Sequence, residues 1–118
     1  MKVLIVEDNI VFGLDMVATL QELGHSAHGP CATVKTALDA LVSFEPDVAI
    51  LDVELRDGET SVPVASALQK MQIPFICVTG FSSRSASKAP PFASALKLEK
   101  PIERQALRRA LKTLAGQH

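Results

Sequence analysis

Apolar residues fall along this chain in two textures: short unbroken runs, and longer stretches in which they recur every three or four positions. The runs predict buried strands at residues 2–6 and 47–52 and a further strand at 73–78, with a final strand at 95–98. Residues 25–29 are shorter and more polar, which predicts a weak strand at or near a sheet edge, ended by Pro30. The periodic stretches predict helices. Over 10–23 the stripe is Ile10, Leu14, Val17 and Leu20, with Asp8 or Asn9 as N-cap and Gly24 as the stop. Over 32–44 it is Val34, Leu38 and Leu41, closed by Glu45-Pro46. A third helix begins near Ser61 and Pro63 with Val64, Leu68 and Met71, and a last one follows Pro101 with Leu107, Leu111 and Leu114. Arg104, Arg108 and Arg109 fall on that helix's water face. Residues 82–94 differ: Ser and Ala dominate, Pro90-Pro91 interrupts, and no apolar stripe is sustained. Such a segment predicts a turn or two at most where a helix would otherwise sit.

Five strands alternating with helices predict an α/β fold, a doubly wound five-stranded parallel sheet with helices on both faces and the fourth helix short or absent. With 118 residues, 47% of them apolar, the expectation is one domain over 1–118 with no separate output domain. The formal charge is −1 and basic residues are dispersed, so neither nucleic acid nor a membrane surface is an expected partner. Cys31 and Cys77 lack metal-ligand spacing and read as inert thiols, and no secretion signal or membrane-length apolar run appears. The expected location is the cytoplasm.

A parallel sheet brings every strand's carboxyl end to one edge, the edge where such folds bind ligands. Along that edge the sequence places Glu7 and Asp8, then Asp52, then Thr79, then Lys100. Clustered carboxylates repel one another unless a cation lies among them, and oxygen-only ligands suit Mg2+ rather than zinc. A lysine, a hydroxyl and a divalent ion around one carboxylate are the groups that stabilise the oxygens of a phosphoryl group in transfer. Asp52 is then the nucleophile, already ionised at neutral pH. His25 and His28, at alternate positions of the weak strand, read as packing or solvated residues.

With Glu7-Asp8, Asp52, Thr79 and Lys100-Pro101 in order at successive strand ends, the whole chain resembles the receiver domain of two-component response regulators, of the single-domain type. The resemblance implies a flavodoxin-like fold and a phosphoprotein of two-component signalling and phosphorelay. Asp52 would accept the phosphoryl group, and Thr79 and Lys100 would contact its oxygens. Asp8 and Asp52 would ligate Mg2+, Glu7 would act mostly through water, and Glu54 would offer a backbone carbonyl. It also implies a cis Lys100-Pro101 bond, and that the chain is no enzyme beyond its own phosphorylation and dephosphorylation. Implied partners are a sensor histidine kinase or phosphotransfer protein and a downstream protein.

Around Thr79, the residues Pro74, Phe75, Thr79 and Gly80 resemble the FATGUY subgroup, whereas Cys77 and Val78 depart from it. That subgroup implies a histidine kinase of the HWE or a related type. Lys97 stands where receivers usually carry Tyr or Phe, so the switch candidates are Thr79, Phe81 and Lys97. Glu54 and Phe81 each follow a site residue by two positions, where they would flank the path of attacking water. The missing aromatic keeps open an alternative, a receiver-like interaction module that no longer depends on phosphorylation. A third reading, an Mg2+-dependent phosphohydrolase, lacks the residues for a substrate-enclosing cap.

Overall fold

A computed structural model describes residues 1–80 and 85–116. Its elements in chain order are β1 (Lys2–Val6), α1 (Ile10–Glu22), β2 (Ser26–Cys31), α2 (Val34–Ser43), β3 (Val48–Asp52), α3 (Val62–Lys70), β4 (Phe75–Thr79), β5 (Leu96–Glu99) and α4 (Arg104–Ala115), with short 3-10 turns at Arg56–Gly58 and Ala86–Lys88. The strands form one parallel sheet in the order β2-β1-β3-β4-β5. The predicted doubly wound architecture is therefore present, with the weak strand β2 at an edge.

Alternation along the strands sorts the core into two layers, because successive side chains point to opposite faces. Val3, Ile5, Val48, Ile50, Ile76 and Val78 pack with Met16 and Leu20 of α1 and Leu107, Leu111 and Leu114 of α4. Leu4, Val6, Ala49, Leu51 and Cys77 pack with Ala37, Ala40 and Leu41 of α2 and Val64, Ala65 and Leu68 of α3.

Three sequence expectations change. The buried face of α1 is Gly13, Met16 and Leu20, while Ile10 and Leu14 of the expected stripe are 60% and 54% exposed. Gly13 is the reason. A Cβ there would lie 2.4 Å from Pro30 Cβ, so the missing side chain lets α1 settle against β2 on a face that carries no apolar mark in the sequence. Second, Pro30 does not end β2, which runs to Cys31. Its pairing with β1 slips between Leu4 and Val6, and an edge strand tolerates a proline at such an irregularity. Third, Met71 caps α3 half exposed and is not part of its buried stripe.

Between β4 and β5, the described residues from Ser85 onward hold a 3-10 turn and further turns, and no α-helix. Phe92, 1% exposed, plugs into the α2/α3 layer of the core where a helix would have docked a stripe.

Candidate functional site

Register assembles the site. Val6 pairs with Leu51, so the next residues along, Glu7 and Asp52, emerge side by side at the sheet's carboxyl edge. Asp52 pairs with Val78, which sets Thr79 one step beyond it. Thr79 pairs in turn with Glu99, and its carbonyl accepts from the Lys100 amide at 2.9 Å, which aims the chain after β5 at the same point.

The structure brings Glu7, Asp8, Asp52 and Lys100 together. One carboxylate oxygen from each acid lies within 4.8 Å of the others. Lys100 Nζ is 2.8 Å from Glu7 Oε1 and 2.9 Å from Asp52 Oδ2, donating a hydrogen bond to the latter. Asp52 Oδ1 accepts from the Glu54 amide at 3.2 Å, and Glu7 Oε2 from the Asn9 amide at 3.1 Å. Thr79 is buried at the end of β4.

Burial drives the Glu7 carboxyl above its ordinary range; Lys100 and the Asn9 amide oppose that, and the Asp52 charge adds to it. Burial pulls the Lys100 ammonium down, but its contacts with Glu7 and Asp52 outweigh the loss of water and hold it above its ordinary range. Lys100 therefore stays charged at any physiological pH.

These residues fit a magnesium ion. Three acids, each offering an oxygen within 4.8 Å of the others, face one ammonium, which pairs with Glu7 Oε1 at 2.8 Å and with Asp52 Oδ2 at 2.9 Å. One positive charge does not neutralise three carboxylates, and a hard cation with oxygen ligands would make up the difference.

Other predicted positions lie as follows. Glu54 is exposed and pairs as an isolated bridge with Thr60. Lys97 donates from its ammonium to the carbonyls of Ala93 and Ala95, at 3.1 and 3.2 Å, so it fastens the turn before β5 rather than joining the acids. Phe81 falls outside the described residues. The Lys100-Pro101 bond is cis, as are Gly29-Pro30 and Pro90-Pro91. His28 stacks on Phe44 at 5.1 Å and His25 Nδ1 meets the amino terminus at 3.0 Å, so both serve local packing. Burial pushes the Cys77 thiol up to about 11, and Cys31 is raised by burial too, which leaves both as inert core residues.

Two neighbours of the site had no signal in the sequence. Arg56 donates from its guanidinium to the Asp8 carbonyl at 3.1 Å, tying the loop after β3 to the loop after β1. Phe12 lies under Lys100, with Nζ 4.5 Å from the ring centroid. Both contacts join residues of different elements, which spacing along the chain does not reveal.

No protein-family profile matches the sequence. Among curated proteins, the chain is 28% identical over 104 residues to the phyllosphere-induced regulator PhyR of Methylorubrum extorquens, covering 86% of this chain and 39% of PhyR. It is 30% identical over 105 residues to the transcriptional regulatory protein PdtaR of Mycobacterium tuberculosis, covering 86% of this chain and 50% of PdtaR. The chain thus spans half the length or less of these relatives. Among solved structures, SdrG from Sphingomonas melonis matches with a TM-score of 0.84 and 36% identity, over 98% of this chain and 96% of that one. The signal receiver domain of a modulated diguanylate cyclase from Desulfovibrio desulfuricans matches with a TM-score of 0.87 over 98% and 94%; at 23% identity it speaks for the fold alone. Sheet order, the acids at the strand ends and these relatives agree, and the chain belongs to the receiver domains of response regulators.

Proposed function

We propose that Asp52 accepts a phosphoryl group, in a reaction that depends on Mg2+, and that the phosphorylated chain signals through protein contacts. The observation that carries this reading is the Lys100 ammonium held between Glu7 and Asp52, at 2.8 and 2.9 Å, on the edge where Asp8 completes the acidic cluster. An oxygen lone pair of Asp52 attacks phosphorus. The bond from phosphorus to the donor's imidazole nitrogen breaks, its electron pair leaves with the imidazole, and Asp52 carries an acyl phosphate. Lys100 and the Thr79 hydroxyl then stabilise the phosphoryl oxygens. Held by Glu7, Asp8, Asp52 and the Glu54 carbonyl, the ion would add the charge neutralisation that lets a carboxylate approach a phosphoryl group.

The donor on this reading is a histidine kinase or a phosphotransfer protein. Pro74, Phe75, Thr79 and Gly80 favour the FATGUY subgroup, and with it a kinase of the HWE or a related type. Intact mass after incubation with acetyl phosphate and Mg2+ tests the chemistry. The parent should gain one phosphoryl group, and Asp52→Asn none. Labelling that survives Asp52→Asn, or that proceeds in excess EDTA, overturns the assignment. A parent that gains no mass under any donor would favour the phosphorylation-independent module, which the tethering of Lys97 to Ala93 and Ala95 would then explain.

A further inference from the structure

Lys100 has a third neighbour that the acids do not account for. Its ammonium stands 4.5 Å from the centroid of the Phe12 ring, while Glu7 and Asp52 lie at 2.8 and 2.9 Å. Phe12 is placed by the start of α1. Its amide donates to the N-capping Asn9 side chain at 3.0 Å in the first turn of α1, and its half-buried ring packs on the α1/α4 layer of the core. The ring face presented to Lys100 carries a quadrupole that attracts a cation.

We infer that Phe12 is a positioning residue for phosphoryl transfer: its ring holds the Lys100 ammonium at the site when Glu7 and Asp52 can no longer do so. The inference rests on the proposed role of Lys100. A divalent ion held by Glu7, Asp8 and Asp52 would take up the carboxylate charge that restrains the lysine. Lys100 is 29% exposed on a flexible stem, so without another partner its ammonium would swing toward water. An aromatic face competes with neither the metal nor the phosphoryl group for a ligand, because it offers no lone pair. It keeps the cation close, yet free to turn its N–H groups onto the incoming oxygens.

Packing alone would make a different prediction, and the two are separable. Phe12→Leu keeps an apolar side chain on the core and removes the ring; Phe12→Tyr keeps the ring. In the Mg2+-loaded protein, the ε-methylene protons of Lys100, assigned by their loss in Lys100→Ala, should resonate upfield in the parent and in Phe12→Tyr. In Phe12→Leu they should return to ordinary lysine positions. Labelling by acetyl phosphate at saturating Mg2+ should slow about five-fold in Phe12→Leu and recover in Phe12→Tyr. Unchanged Lys100 shifts in Phe12→Leu overturn the inference, as does labelling at the parent's rate. The Lys100→Ala control keeps the two readings apart: were it labelled like the parent, the role of Lys100 would fall, while the shifts would still decide whether Phe12 holds it.

Discussion

Glu7 is the residue at which the site's electrostatic conflict is concentrated. It is 3% exposed, faces Asp52, and has its carboxyl raised by burial first and by that neighbour second, against the pull of Lys100 and the Asn9 amide. A carboxyl whose folded pKa lies above its unfolded one binds its proton more tightly in the folded state. Its stabilising contribution is complete below the ordinary carboxylate range and is lost as pH rises through the raised folded pKa. At neutral pH without metal, Glu7 is thus a net liability. On the proposed reading Mg2+ would reverse this, since any ligand of the folded state stabilises it, by about 2.7 kcal/mol at a hundred times its Kd. Glu7→Gln should therefore melt a few degrees above the parent in EDTA at pH 7, at roughly 4 °C per kcal/mol for a domain of this size. Lys100 keeps Asp52 as its partner in that variant. The gain should vanish near pH 4, and Mg2+ should stabilise the variant less than the parent. Thermal melts at the two pH values, with and without Mg2+, decide it; a lower melting point in EDTA at pH 7 contradicts the argument. Residues of this kind were legible in the sequence because Glu7, Asp8, Asp52 and Lys100 each close an apolar run. Phe12 and Arg56 were not, because what they touch is set by how α1 and the loop after β3 lie across the sheet.

Strands were easier to read than helix faces, for a reason visible in α1. A buried parallel strand is apolar throughout, so β1, β3 and β4 stand out whatever lies beside them. A helix offers several adjacent stripes at nearly the same period. In α1, Ile10, Leu14, Val17 and Leu20 compete with Gly13, Met16 and Leu20, and the second set is the buried one. Backbone shape decided between them. Gly29, at φ +128°, would place a Cβ 2.5 Å from the Ile5 carbonyl, and it carries β2 into Pro30. Pro30 then occupies the space a side chain on Gly13 would need. Intrinsic propensity favours alanine over glycine within a helix by about 1 kcal/mol. Yet the Gly13 Cβ would sit 2.4 and 2.5 Å from two Pro30 carbons, and a proline ring held between two strand residues cannot retreat. Overpacking of that kind costs about 1–3 kcal/mol, so sterics outweigh propensity. Gly13→Ala should lower the urea midpoint by about 1 kcal/mol in net stability or more. Gly13→Ala combined with Pro30→Ala should recover most of the loss. A single variant more stable than the parent would show that α1 shifts freely.

At the scale of the molecule, the chain forms a doubly wound fold in which residues 85–95, ahead of β5, hold turns and no α-helix. Residues 85–95 are held by Phe92 in the core with Ala86 and Ala95 packed beside it, by the buried Ser87, by main-chain bonds from Lys88 to Ser85, Ala89 to Ala86, Phe92 to Ala89 and Ala95 to Phe92, by the Gln69 side chain on the Pro91 carbonyl, and by Lys97 on Ala93 and Ala95. The sequence showed the lack of a helical stripe here, but not that one buried ring would replace it. Most of these bonds are local single turns, and regions held by turns rather than by a helix or a sheet ladder exchange their amides through local openings. The amides of Lys88 and Ala89 should therefore exchange far faster than those of β3, with Phe92 and Ala95 intermediate. This segment leads into β5, and the Lys100 amide that follows β5 is bonded to the Thr79 carbonyl. On the proposed reading, phosphorylation of Asp52 would bring roughly −1.5 to −2 charges to the edge that Lys100 and Thr79 share, and a shift there would be passed along β5 to the turn that Lys97 fastens. Amide exchange with Mg2+ alone, and with Mg2+ and beryllium fluoride as the phosphoryl mimic, measures it. Protection over 85–95 should rise with the mimic in the parent and stay unchanged in Asp52→Asn. Strong protection in both states of the parent would mean that the turn is a finished element, and that the response to phosphate leaves the sheet's edge by another route.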